Sequence, residues 1–224
     1  MWSRASKRAT MGRPGTAIVI EGFLRSGNTF SVAAFTVVNG GSLHIGRHLH
    51  GAGHVLRAVR LGLPTVVLIR PPREAVLSYL IRRGTLTPDD AVVEYLDFYR
   101  AAWPVRESFV IGLFENVVSD FGTVTDEVNA RFGTSFARYE PTPGNEAAAM
   151  ALVEEMNRLE CGGELVETHV GRPSDQRVLR KAELSFLLQA PRTAARLRAA
   201  EHLYDQYARL SAARAGRCRP TSAG

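Results

Sequence analysis

Residues 21 to 30 read Glu21-Gly22-Phe23-Leu24-Arg25-Ser26-Gly27-Asn28-Thr29-Phe30. Glycine, hydroxyl, amide and guanidinium groups at this density suit the holding of a phosphate-like anion. The spacing Gly22-x4-Gly27-x-Thr29 follows the Walker frame, in which backbone N–H groups cradle phosphate oxygens. Asn28 stands where that frame needs its lysine, which a nucleoside triphosphatase uses on the β- and γ-phosphates. This loop carries its cation inside the turn instead, as Arg25. The expected ligand is a 5′-phosphate bearing one further anionic group, not a magnesium triphosphate.

Such a loop needs a strand before it and a helix after it. The apolar run Ala17-Ile18-Val19-Ile20 predicts a buried parallel strand over residues 16–22, and a helix follows from residue 29 until Gly40 and Gly41. A histidine-rich connection with His44, His48, His50 and His54 comes next, then a short helix over 52–61. Thr65-Val66-Val67-Leu68-Ile69 predicts a second strand ending at Arg70. Pro71 and Pro72 stop it, and Pro72 suits the first turn of a helix running to about residue 83. Thr87-Pro88-Asp89-Asp90 is a helix start, with a cap, a proline and two carboxylates against the dipole. Val92, Leu96, Tyr99 and Trp103 then recur on one helical face, a core stripe. A third strand is expected over 109–114, and helices over 121–132, 145–160, 174–188 and 194–212. Strands alternating with helices imply an α/β fold with a parallel sheet and right-handed crossovers. Ligands bind beyond the carboxyl ends of such strands. Arg25 and Arg70 each follow a strand directly, which places both at that rim.

Four segments together resemble the P-loop sulfotransferase family of bacterial type, whose sulfuryl donor is 3′-phosphoadenosine 5′-phosphosulfate (PAPS). Leu24-Arg25-Ser26-Gly27-Asn28-Thr29-Phe30 is similar to the family's 5′-phosphosulfate loop, a cation followed by Ser-Gly, Thr or Asn, Thr and an aromatic residue. The run from Val66 to Tyr79 resembles its 3′-phosphate motif, a strand ending in Arg-x-Pro (Arg70, Pro71, Pro72) with Ser78 eight residues after the arginine. Arg47-His48-Leu49 stands where many members place a catalytic histidine, and Phe114-Glu115-Asn116-Val117 with Phe132-Gly133 resembles a later strand end and turn. The likeness covers about residues 16–140. The chain departs from the family in a short connection before His48. In place of a late Arg-Lys-Gly segment it has Val170-Gly171-Arg172-Pro173-Ser174-Asp175-Gln176-Arg177.

The resemblance implies a P-loop-type three-layer α/β/α fold with a central parallel sheet. It implies Arg25, Ser26, Gly27, Asn28, Thr29 and Phe30 at the 5′ side of PAPS, with Phe30 stacking on adenine. Arg70 and Ser78 would hold the 3′-phosphate, and Arg172 or Arg177 would close over it. Catalysis would fall to Arg25 and His48, with His48 the general base for an acceptor hydroxyl and His50 its main rival. The product would be 3′,5′-adenosine bisphosphate, with no metal required. Glu115 is assigned a structural place at a strand end. The acceptor class is a small-molecule or glycosidic alcohol. A small P-loop kinase, which would need a lysine at position 28, and a non-catalytic nucleotide-binding relative are the competing readings.

The 224 residues fit a single domain over 16–212, and 45% hydrophobic with 22% charged content is ordinary for a globular chain. The 28 basic and 22 acidic residues leave a charge of +6. Much of that excess sits in two basic ends, 1–15 and 213–224, expected to be flexible; they carry Arg4, Lys7, Arg8 and Arg13, and Arg214, Arg217 and Arg219. No groove-reading motif accompanies the charge, so no nucleic-acid partner is expected. Cys161 and Cys218 have no metal or disulfide spacing and are expected as free thiols. No apolar run approaches the ~20 residues of a membrane span, and no signal peptide is expected, so a cytoplasmic protein without membrane contact is predicted.

Overall fold

The computed structural model describes residues 11–164 and 175–217. Among them the sheet has four parallel strands: β1 (Ile18–Gly22), β2 (Ile45–Arg47), β3 (Thr65–Ile69) and β4 (Val110–Leu113), in the order β2-β1-β3-β4. Nine α-helices accompany it among the described residues: α1 (Asn28–Asn39), α2 (Ala52–Arg60), α3 (Pro72–Arg82), α4 (Pro88–Ala102), α5 (Phe114–Ser119), α6 (Phe121–Phe132), α7 (Pro143–Glu160), α8 (Asp175–Ser185) and α9 (Pro191–Arg217).

Every residue of β1 and β3 is buried, which is why these strands read as continuous apolar runs. Alternate side chains go to opposite faces. Ile18, Ile20, Val66, Leu68 and Val110 pack with α1, α5, α6 and α7 on one face. Val67, Ile69 and Ile111 pack with α2, α3, α4 and α9 on the other. Helices therefore cover both faces, consistent with a three-layer α/β/α arrangement.

Two tyrosines of α4 finish the carboxyl end of β3. Tyr99 Oη donates to the Leu68 carbonyl at 2.7 Å and Tyr95 Oη to the Arg70 carbonyl at 2.8 Å. Burial pushes both phenols up from their ordinary range, so both remain protonated donors. The sheet end is thus satisfied from below, and its upper rim is left for loops.

Several expectations are corrected. The histidine-rich connection contains a strand: β2 pairs Ile45, Gly46 and Arg47 with Ile18, Val19 and Ile20. Three residues at a sheet edge are too short to show a period. The third strand stops at Leu113, and Phe114 already opens α5. The described parts of the two basic ends, residues 11–15 and 213–217, are tied to the fold. The Gly12 N–H donates to His54 Nε2 at 2.8 Å, and Arg57 Nε donates to the Gly12 carbonyl at 3.1 Å. Helix α9 continues to Arg217, and Arg214 is buried in it. Its guanidinium donates to the carbonyls of Phe109 and Arg106 and to Glu107. A basic run was the visible signal there, while the carbonyls that need it lie over 100 positions earlier. Cys161 is a free thiol, and Cys218 lies outside the described residues. Among the described residues no helix is long and apolar enough to cross a membrane.

Candidate active site

The chain leaves β1 at Gly22, where a Cβ would lie 2.5 Å from the Leu68 carbonyl oxygen, so only glycine fits beside β3. It then turns sharply, with Arg25 at φ 68 and Gly27 at φ 92, both left-handed. Gly27 is the N-cap of α1. The turn folds Ser26 inward: its hydroxyl is fully buried and lies 3.2 Å from Tyr99 Oη, and its N–H bonds to the Phe23 carbonyl. Tyr99 spends its own proton on Leu68, so Ser26 is the donor in that pair. The Ser26 side chain therefore braces the loop against Tyr99.

Asn28 also closes the loop. Its Nδ2 donates to the Phe23 carbonyl at 3.0 Å, which turns the side chain back where a lysine would extend outward. Thr29, Phe30 and the start of α1 remain on the open side, where helix N-terminal N–H groups and the dipole favour negative charge.

A cavity of about 410 Å³ opens there. Its walls include Arg25, Gly27, Asn28, Thr29, Phe30, Arg70, Ser78 and His48. Segments distant in sequence meet directly: Arg25 Nε donates to Ser78 Oγ at 2.9 Å across 53 positions, and Arg70 Nη1 donates to the Arg25 carbonyl at 3.2 Å. Arg70 also lies 4.0 Å above the Phe114 ring, a cation–π contact, and 3.5 Å from Glu74. Phe30 meets Tyr139 edge-on at 6.2 Å. Arg70 follows directly after β3 and Ser78 sits in the second turn of α3, so the strand end delivers one and the helix the other to the same cavity.

Three further cations share the walls: Arg82 on α3, and Arg177 and Lys181 on α8. Glu160 pairs with Arg82, and Glu74 pairs with Lys181. Burial would raise Glu74, but the hydrogen bond and charge of Lys181, then Arg70, hold it below the usual carboxylate range. Burial, and then the neighbouring charges of Arg177, Arg82 and Arg70, pull Arg25 down to about 9. Arg70 is lowered by burial too. Both stay cationic at neutral pH, and Arg25 does so beside three other guanidiniums, a repulsion that a bound anion would relieve.

His48 lines the same cavity, with its Nε2 sealed from solvent and lacking a hydrogen-bond partner among the described residues. Burial, then His50, Arg47 and Arg82, hold its imidazole well below the ordinary histidine range, so it is neutral at pH 7 with a lone pair to offer. His50 lies beside it, ring centroids 5.6 Å apart. His44 is turned away, 2.8 Å from Thr16 Oγ1, and His54 is buried against Glu21. Glu115 is exposed in the first turn of α5 and accepts from Tyr204 at 3.4 Å. Arg172 lies outside the described residues; Arg177 lines the cavity and is buried. Among the described residues no group of three or more metal-ligating side chains occurs.

Sequence reasoning missed Glu21, Arg82, Glu160 and Lys181. Arg82 lies 78 positions from Glu160, and Lys181 lies 107 from Glu74, distances at which no local pattern can signal a pair. Glu21 was visible as a carboxylate inside an apolar strand, a local conflict that marks a site. The chain matches no protein-family model and no curated protein. Function must therefore be read from side-chain chemistry and geometry.

Proposed function

We propose that this chain is a P-loop-type, PAPS-dependent sulfotransferase that moves a sulfuryl group to the hydroxyl of a small-molecule or glycosidic acceptor. The observation that carries this reading is the union, in one cavity, of the Arg25 loop, Arg70, Ser78 and a neutral His48. The 5′-phosphosulfate would lie against the N-terminus of α1 and Arg25. The 3′-phosphate would lie against Arg70 and Ser78, and because Arg25 Nε already holds Ser78, the two ends of the donor meet one hydrogen-bonded unit. ATP has no 3′-phosphate for Arg70 and Ser78. Phe30 offers an aromatic face to the base.

The acceptor oxygen attacks sulfur, the bond from sulfur to the 5′-phosphate oxygen breaks, and 3′,5′-adenosine bisphosphate departs. His48 accepts the hydroxyl proton. Negative charge grows on the departing oxygen, where Arg25 stabilises it electrostatically. Positioning and electrostatics are the tools of the related phosphoryl transfer too.

The test is incubation with PAPS and a panel of hydroxyl acceptors, with mass-spectrometric detection of sulfated products. The reading expects product from the native chain and its loss in His48→Ala. Equal product from both would remove His48 from the base role.

A further inference from the structure

Glu21, the fourth residue of β1, is fully buried, and the mechanism above gives it no task. Its carboxylate collects N–H groups from three elements. Oε1 accepts from the Gly22 N–H at 3.2 Å. Oε2 accepts from the Leu49 N–H at 3.0 Å and lies 2.8 Å from His54 Nδ1. The tautomer of His54 follows from its other nitrogen. Nε2 lies 2.8 Å from the Gly12 backbone nitrogen, which can only donate, so Nε2 carries the lone pair and Nδ1 the proton. Glu21 therefore meets three donors with its two carboxyl oxygens, one at Oε1 and two at Oε2.

Leu49 is flanked by two residues with positive φ, His48 at 58 and His50 at 50. Non-glycine residues persist in that region only where their surroundings over-determine them. The Leu49 N–H bond to Glu21 sits at the centre of this pair. His50 is held from the same place, with its Nδ1 3.1 Å from the Gly22 carbonyl and 3.5 Å from Glu21 Oε1. The carbonyl can only accept, so His50 also carries its proton on Nδ1.

We infer that the Glu21 side chain is the positioning residue of the His48-Leu49-His50 turn, clamping Leu49 between two left-handed residues so that His48 faces the cavity. The clamp stands on geometry alone; its consequence for turnover rests on the sulfotransferase reading. An amide at position 21 would turn its NH2 toward at least one of the three donors, so glutamine is not a conservative replacement.

The experiment starts with the native chain. Long-range ¹H–¹⁵N NMR should show His54 as the Nδ1–H tautomer, and the Leu49 amide should be protected from hydrogen exchange. An Nε2–H tautomer or a freely exchanging Leu49 amide would overturn the clamp, whether or not any variant folds. Glu21→Gln should then lower sulfuryl transfer by about 100-fold, the scale of an ångström-sized misplacement of a catalytic group. It should leave affinity for 3′,5′-adenosine bisphosphate within about twofold, because Arg25 and Arg70 lie elsewhere. Equal losses in both, or unchanged turnover, would overturn the positioning role. A native chain that binds no bisphosphate while showing the expected tautomer and protection would sink the donor reading and leave the clamp standing.

Discussion

Replacing Arg70 by alanine separates a reader of the 3′-phosphate from a generic cation. The Arg70 side chain is only 16% exposed and is already oriented by the Arg25 carbonyl, the Phe114 ring and Glu74. A charge-assisted hydrogen bond from such a group contributes about 1.5–3 kcal/mol. Binding an anion weakens the contact with the half-exposed Glu74, which offsets roughly 0.5 kcal/mol of that. The net loss on Arg70→Ala is then about 1–2.5 kcal/mol, or roughly 5- to 70-fold in Kd. The assay is calorimetric titration of native and variant chains with 3′,5′-adenosine bisphosphate and, separately, with adenosine 5′-monophosphate. The bisphosphate should lose that factor, and the monophosphate should lose less than about twofold. Equal losses for the two ligands would refute the assignment and leave Arg70 as a brace for the Arg25 loop.

His48→Ala should lower turnover by about 10²- to 10⁴-fold while bisphosphate affinity holds, measured by rate and titration on the same preparation. The depressed titration of His48 also has a stability consequence. The unfolded chain takes up a proton on this residue near pH 6.5, whereas the folded chain does so only well below that. Its contribution is therefore complete above pH 6.5 and is lost as pH falls toward the folded value, so the native chain should lose more thermal stability than His48→Ala on going from pH 7 to pH 5. Gly22→Ala would set a Cβ 2.5 Å from the Leu68 carbonyl oxygen and should cost about 3 kcal/mol in denaturant unfolding; a loss under about 0.5 kcal/mol would contradict the tight β1–β3 approach. Arg214→Ala strands the Phe109 and Arg106 carbonyls and should cost about 1–3 kcal/mol, where a solvated tail residue would cost nothing measurable.

The parts legible in the sequence were those written locally. The run Thr65–Ile69 is strand β3 to the residue, and the Thr87-Pro88 start is the cap of α4, with Thr87 accepting from the Asp90 N–H. Arg25 and Arg70 were placed at one rim because each follows a strand, and the bond from Arg25 to Ser78 joins the two segments there. The inward turn of the Ser26 side chain was not legible, because the positive φ of Arg25 decides which way the loop rolls, and nothing in the residue type announces it. Strand β2 was too short to have a period. Arg214 was hidden by its basic neighbours, since composition cannot tell a solvated arginine from one that caps carbonyls of the β4 approach. Glu21 is the instructive omission: a carboxylate in an apolar strand is costly unless donors surround it, and here Gly22, Leu49 and His54 do.

The central claim is that the cavity takes a nucleotide with a 3′-phosphate. Titration of the native chain with 3′,5′-adenosine bisphosphate, alongside ATP with magnesium, tests it most directly. The account predicts tight, saturable binding of the bisphosphate and weak binding of magnesium-ATP. Preference for magnesium-ATP, or binding of neither, would contradict it.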